Sequence, residues 1–171
     1  MKKTVLTYGL LSGGIAALLM LGMALYTGND PEKFSNGEVF GYAGIILSMV
    51  FVFLGVRAYR DQVASGVISF GKAFQVGLFI TLISCTMYVI AWLLISNTLM
   101  ADFMDVFINE SLKKLQASGA SAAEIARKTA EMEDFSERYK NPVFKAAITF
   151  LEPFPIGLAV TLISAAILRR N

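Results

Sequence analysis

The chain has 171 residues, of which 56% are hydrophobic, and its formal net charge is +2. This apolar content exceeds that of ordinary soluble domains and favours a membrane protein. Nucleic-acid binding is excluded, because no segment concentrates lysine and arginine among aromatic residues. Histidine is absent and Cys85 is the single cysteine, so the sequence predicts no metal site, no cofactor and no intrachain disulfide.

Four segments are long and apolar enough to cross a bilayer, which takes about 20 mostly apolar residues per helix. The first segment follows two lysines as a signal peptide does, but its apolar run exceeds the roughly 7–15 residues of such a peptide, so we expect it to be retained. The predicted spans are residues 4–27, 39–56, 73–100 and 143–168.

Basic residues near the spans predict the orientation, because lysine and arginine resist translocation. The N-terminus, the loop after the second span and the C-terminal tail fall on one side, with seven basic residues and the single acid Asp61. The other side holds eight basic and twelve acidic residues. Both termini are therefore predicted to be cytoplasmic.

The polar segment 102–141 is predicted to fold outside the cytoplasm as two amphipathic helices. Its helical spacing breaks near Ser118 and Gly119, and Ser121 with Glu124 has the spacing of a capping box that starts a second helix. The predicted fold is therefore all-α: a bundle of four transmembrane helices with an extracytoplasmic helical hairpin between the third and fourth.

Glu152 is the only ionisable residue predicted to lie deep in a span. An unpaired carboxylate there costs several kcal/mol, so protonation, a partner or water must compensate it. Pro153 and Pro155, followed by Gly157, remove backbone donors and predict a helix kink at the same level. Such irregular backbone is tolerated at membrane depth only inside protein or beside a cavity, so the sequence predicts an intramembrane polar site.

We choose the candidate hydrogen-bond partners of Glu152 by their depth in the membrane. Ser48 and Tyr88 lie about ten residues from the outer ends of their helices, roughly 15 Å at 1.5 Å per residue, as Glu152 does. A functional interpretation makes this site a proton or cation site. In a structural interpretation, which we favour, a protonated or hydrogen-bonded Glu152 holds the kinked helix against its neighbours, or Glu152 lies near water or Lys145.

The cytoplasmic loop carries Arg57, Arg60 and Lys72, which we expect among anionic lipid headgroups. Ser69 is expected to cap the third span. Small residues at four-residue spacing permit close helix packing in lipid, and we assign them to packing within the bundle in preference to a dimer interface. These residues include Gly9, Gly13, Gly157, Thr161 and Ala165.

The order and spacing of three motifs resemble Domain of Unknown Function family four-one-nine-nine, bacterial membrane proteins of about this length with four spans. The resemblance covers nearly the whole chain and implies a location in the bacterial inner membrane, but no activity. The motifs are Arg57-Ala-Tyr-Arg60 with Gly66, Ile68-Ser-Phe-Gly71-Lys72-Ala-Phe with Gly77, and Glu152-Pro-Phe-Pro155-Ile-Gly157.

The sequence favours a non-enzymatic protein of envelope assembly, acting as an accessory or scaffold subunit, with the lipid bilayer and a protein bound through residues 102–141 as its partners. The alternative is a small proton- or cation-linked transporter or channel that uses Glu152 as a homo-oligomer. An enzyme is not expected, because histidine is absent and no acids are paired at membrane depth.

Overall fold

The structure is a computed structural model that describes residues 1–28, 33 and 37–170. The short turn predicted between the first two spans lies mostly outside the described residues. The described part is mainly helical, with short turns between the helices and a single antiparallel bridge between Ile68 and Arg170. Its helices are α1 (Lys2–Thr27), α2 (Gly37–Gln62), α3 (Phe70–Thr98), α4 (Phe103–Ala117), α5 (Ala122–Tyr139), α6 (Pro142–Leu151) and α7 (Pro153–Leu168).

Four stretches of the described helices are long and apolar enough to cross a membrane: α1, most of α2, α3, and α6 together with α7. The predicted fold class, an all-α membrane bundle, is confirmed. Helix α2 continues to Gln62, beyond the predicted end of its span at residue 56, because polar residues extend a helix past its apolar stretch without breaking it.

Local signals in the sequence set several helix ends. The hydroxyl of Ser69 accepts a hydrogen bond from the Lys72 amide at the start of α3, and Ser121 accepts one from the Glu124 amide at the start of α5. Each bond satisfies an amide that the first helical turn leaves unpaired. Gly119 connects α4 to α5 with a φ of 79°, a conformation that favours glycine.

The two ends of the bundle differ. We call the end that carries α4 and α5 the hairpin side, and the end with the α2–α3 loop the loop side; α4 and α5 together are the hairpin. On the loop side the Ile68 amide donates to the Arg170 carbonyl at 3.1 Å, and the Arg170 amide donates back at 2.9 Å. These bonds join the C-terminal tail to the α2–α3 loop.

The tightest packing lies toward the loop side, where α1, α2, α3 and α7 meet. Helix α3 packs on the other three, and α1 approaches it closely because Gly9 and Gly13 face Ile83 and Met87. A β-carbon at Gly13 would lie 2.7 Å from the Met87 side chain. Fully buried side chains here are Val52, Val56, Ala73, Val76, Ile80 and Ala165.

The hairpin is joined to the bundle differently. Helix α4 packs on α5, and α5 packs on α6. A small apolar cluster of Ala24, Ile95 and Met100, with Phe103 packed against it, connects α1 and α3 to the start of α4. The hairpin therefore covers one end of the bundle and is held along its edges.

Candidate functional site

The fourth predicted span is divided at Glu152. Helix α6 begins at Pro142, where the Asn141 side chain accepts hydrogen bonds from the amides of Val143 and Phe144 at 2.9 and 3.3 Å. It ends at Leu151, and α7 starts at Pro153. Proline has no amide hydrogen, so the backbone ladder is interrupted where the carboxylate lies.

Glu152 is hydrogen-bonded across the bundle to α3. The Tyr88 hydroxyl donates to Oε2 of Glu152 at 3.0 Å. The structure thus brings together two of the three residues of the predicted polar site. The Glu152 side chain is exposed, and it lines a cavity.

Ser48, the third predicted member, lies elsewhere. Its hydroxyl donates to the Ile45 carbonyl at 2.7 Å, and its own carbonyl accepts a hydrogen bond from Ser12 at 2.8 Å. Ser12 is also 2.9 Å from the hydroxyl of Ser84. The prediction matched Ser48 to Glu152 by depth alone, whereas the direction in which a side chain leaves its helix decides its partner, and Ser48 is turned toward α1.

Lys145, which the sequence offered as another neighbour of Glu152, is engaged by other groups. Its Nζ donates to the Ser96 hydroxyl at 3.5 Å and lies 5.2 Å from the centroid of the Tyr139 ring. Among the described residues, no basic side chain forms an ion pair with Glu152 within 4.0 Å. Tyr88 is thus its hydrogen-bond partner within the described part of the chain.

An aromatic contact attaches the hairpin to the bundle above this site. The Trp92 indole N–H donates to the Tyr139 hydroxyl at 2.6 Å, and the Trp92 ring meets Phe103 edge to face at 4.7 Å. Burial raises the pKa of Tyr139 above its ordinary value, although the hydrogen bond from Trp92 opposes this rise. Nothing in the sequence around Trp92 marks it as part of the site, because its partners Tyr139 and Phe103 lie on other helices.

Between the hairpin and the bundle lies a cavity of about 710 Å³. Its walls are mainly apolar and aromatic, with Glu152 and Tyr88 among the few polar groups. The lining residues used below are Thr27, Phe40, Gly41, Tyr42, Tyr88, Trp92, Phe103, Phe107, Glu110, Lys114, Phe135, Tyr139 and Glu152. A smaller pocket of about 370 Å³ is lined by α4 alone and is a surface depression of that helix.

Thr27, at the end of α1, was not predicted as a site residue. It is only 4% exposed, and its hydroxyl has no hydrogen-bond partner among the residues that the structure describes. Buried polar groups in proteins are nearly always paired. Nothing in the sequence marks a threonine at the end of an apolar span as buried and unpaired. Only the tertiary structure shows that Thr27 is both.

The predicted lipid contacts lie at the other end of the molecule. Lys72 is 16 positions before Tyr88 on α3, roughly 24 Å along the helix at 1.5 Å per residue. Its Nζ donates to Gln75 at 3.0 Å. Arg57 and Arg60 both approach Asp61, with nitrogen–oxygen distances of 3.7 and 2.6 Å. These residues form a partly neutralised basic surface separate from the cavity.

The described residues contain no group of three or more histidine, cysteine, aspartate or glutamate side chains that could hold a metal ion. The chemistry that the cavity offers is therefore that of its own side chains. These provide apolar surface, aromatic faces, the charged groups of Glu110 and Lys114, and the Glu152 carboxyl group hydrogen-bonded to the Tyr88 phenol.

Comparison with known proteins gives a family and no activity. Curated proteins and solved structures yield no match to the chain. The model of the family described as Protein of unknown function (DUF4199) matches residues 7–170. Because this match extends over almost the whole sequence, the chain belongs to the DUF4199 family of proteins of unknown function.

Proposed function

We propose that the protein is a non-enzymatic accessory protein of the bacterial inner membrane that binds a hydrophobic ligand in the cavity beneath its hairpin. The observation that carries this proposal is the cavity of about 710 Å³, whose walls are mainly apolar and aromatic. Small-molecule sites usually measure about 300–1,000 Å³ and combine apolar walls with a few polar groups.

The unpaired hydroxyl supports a bound ligand for an energetic reason. A buried polar atom that forms no hydrogen bond costs about 1–3 kcal/mol. Thr27 is a lining residue, and a rotation of its side chain would bring the covered hydroxyl to a hydrogen-bonding group of a ligand. Apolar ligand surface would at the same time cover the aromatic walls that face the empty volume.

The ionisable groups of the cavity support binding rather than catalysis. Glu110 forms an ion pair with Lys113 at 2.7 Å, and Glu152 accepts its hydrogen bond from Tyr88. Covalent catalysis usually needs a nucleophile hydrogen-bonded to a base. No serine, threonine or cysteine in the described wall donates a hydrogen bond to such a base.

The proposed orientation has both termini in the cytoplasm. It places the hairpin and the cavity on the extracytoplasmic side, and Arg57, Arg60 and Lys72 near the cytoplasmic leaflet. The side chain of Arg57 is 59% exposed, which leaves it accessible to anionic headgroups.

The accessory role includes a protein partner bound through residues 102–141. Supporting this, the aromatic residues Phe135 and Tyr139 of α5 line the cavity, whereas Arg127 and Arg138 are 62% and 63% exposed and pair with acids on the same helix. We propose that the aromatic face of the hairpin contacts the ligand and that its charged face binds a protein partner in assembly of the bacterial envelope.

The test uses Trp92, the single tryptophan of the chain, which lines the cavity. The full-length protein in nanodiscs is titrated with the neutral fluorophore N-phenyl-1-naphthylamine, and energy transfer from Trp92 is measured. We expect saturable transfer with one probe per chain, because the cavity offers one bounded volume beside the donor.

Two glycine substitutions make this test specific. Both Gly41 and Gly22 have open space around the position of a β-carbon, but only Gly41 lines the cavity. Gly41→Phe should abolish saturable transfer by filling the cavity, whereas Gly22→Phe should leave it unchanged. Transfer that rises without saturation, or that Gly41→Phe does not alter, would overturn the proposal.

The second candidate is a small proton- or cation-linked transporter working as a homo-oligomer. The position of the Glu152 carboxyl on the cavity wall favours a transporter. The close packing of the bundle toward the loop side favours a protein that binds its ligand without moving it across the membrane. Proton and cation flux into proteoliposomes, compared between wild type and Glu152→Gln, separates the two. Flux that the substitution abolishes supports transport, and no flux from either folded protein contradicts it.

A further inference from the structure

The cavity combines features that select among hydrophobic ligands by charge. Its wall is rich in aromatic side chains from four helices, α2 to α5. One of its two carboxyl groups, that of Glu152, forms no ion pair with a basic residue that the structure describes. The basic lining residue Lys114 lies on α4, one turn from Glu110, and makes no ion pair with Glu152. The aromatic lining residues are Phe40, Tyr42, Tyr88, Trp92, Phe103, Phe107, Phe135 and Tyr139.

Aromatic walls of this kind favour cations. The face of an aromatic ring carries partial negative charge, so a cation within about 6 Å of a ring centroid is stabilised, more strongly when water is excluded. The protein already shows such a contact, because the Lys145 ammonium lies 5.2 Å from the centroid of the Tyr139 ring.

The two carboxyl groups of the wall differ in their neighbours. Glu110 pairs with Lys113, whereas Glu152 is bonded by the neutral Tyr88 hydroxyl and has no ion pair with a described basic residue. The nearest basic residue in sequence, Lys145, donates to Ser96 instead. A carboxylate at membrane depth without a cation is costly, so a positively charged ligand group would stabilise it.

We infer that the ligand of this cavity is a lipophilic organic cation, such as an amine or phosphonium, whose charge pairs with Glu152 while its apolar body lies against the aromatic wall. The inference rests on the proposed function and specifies its ligand class.

The experiment measures displacement of N-phenyl-1-naphthylamine from the protein in nanodiscs by tetraphenylphosphonium and by tetraphenylborate. The two ions have nearly the same size and opposite charge, and protein-free nanodiscs correct for partitioning into lipid. Tetraphenylphosphonium should displace the neutral probe from wild type. Glu152→Gln should weaken that displacement by about fivefold, the upper range for a charge pair that water can reach.

Two controls keep the result interpretable. Glu133→Gln removes an exposed carboxylate of α5 that does not line the cavity, so the affinity for tetraphenylphosphonium should change by less than about twofold. Tetraphenylborate should bind no more weakly to Glu152→Gln than to wild type, because the substitution removes a repulsive charge. Circular dichroism equal to that of wild type shows that each variant is folded.

The outcomes separate the inference from the proposed function. Saturable binding of the neutral probe, with tetraphenylphosphonium affinity equal in wild type and Glu152→Gln, overturns the cationic ligand and leaves the proposed function standing. Failure of the neutral probe and of both ions to bind overturns both. A loss specific to the cation and to Glu152 supports the inference.

Discussion

At the residue scale, the protein places its polar groups by direction as well as depth. Tyr88 and Ser48 were predicted at the same depth, but only Tyr88 donates to Glu152, while Ser48 donates to a carbonyl of its own helix. Trp92 and Tyr139 form the corresponding contact between the bundle and the hairpin. The tyrosine hydroxyls therefore connect elements that are distant in sequence.

Because of Tyr139, we expect the free energy of unfolding to depend on pH in the alkaline range. Burial raises its pKa above the unfolded value of about 10. A raised pKa in the folded state contributes stability that is fully present below the unfolded pKa and is lost as pH rises through the folded value. The unfolding free energy of wild type should therefore fall more steeply above pH ~10 than that of Tyr139→Phe.

The measurement is denaturant unfolding in mixed micelles, followed by circular dichroism across this pH range. At neutral pH Tyr139→Phe should cost about 1 kcal/mol, because the Trp92 N–H loses its acceptor. Tyr42→Phe is the control, since Tyr42 lines the same cavity but is 50% exposed. Equal alkaline slopes for the wild type and Tyr139→Phe would contradict the prediction.

At the element scale, small residues decide how closely the helices approach. Gly157 of α7 faces the Thr81 side chain of α3 and the Met49 sulfur of α2. The Thr81 hydroxyl lies 3.1 Å from that of Thr161. The assignment of Gly157 and Thr161 to packing within the bundle agrees with these contacts.

Gly157→Ala should therefore destabilise the bundle. The added β-carbon would lie 3.1 Å from the Met49 sulfur and closer to the Thr81 methyl group, so the helices must separate. We expect a loss of about 1–3 kcal/mol, the usual effect of overpacking a core. Gly22→Ala is the matched control, because its β-carbon would meet open space. Equal unfolding free energies for the two variants would show that α7 moves without cost.

At the scale of the whole molecule, the two ends of the bundle have different structures. The loop side is closely packed and ends in a basic surface, whereas the hairpin side contains an open cavity. The proposed orientation therefore decides on which side of the membrane the cavity lies. If the loop side is cytoplasmic, the cavity is extracytoplasmic.

The orientation is testable with cysteine labelling in intact cells. Cys85 is buried, so the wild-type chain should not react with a membrane-impermeant maleimide. Glu133→Cys on α5 should be labelled from outside, and Gln62→Cys at the end of α2 only after the membrane is permeabilised; both positions are exposed. The reverse pattern would contradict cytoplasmic termini.

Much of the architecture could be predicted because it depends on local sequence. Apolar length set the four spans, Ser69 and Ser121 marked helix starts, and Pro153 fell where one helix ends and the next begins. These features need no knowledge of neighbouring helices, since caps and proline act within one turn.

The sequence by itself determined that the helices suit a lipid bilayer and in what order they follow one another, because hydropathy and backbone chemistry are properties of the chain read residue by residue. Only the tertiary structure decided that Tyr88 meets Glu152, that Ser48 turns toward α1, and that Thr27 is buried beside a cavity. Those facts depend on how each helix is rotated about its axis, which is set by side-chain packing between distant segments.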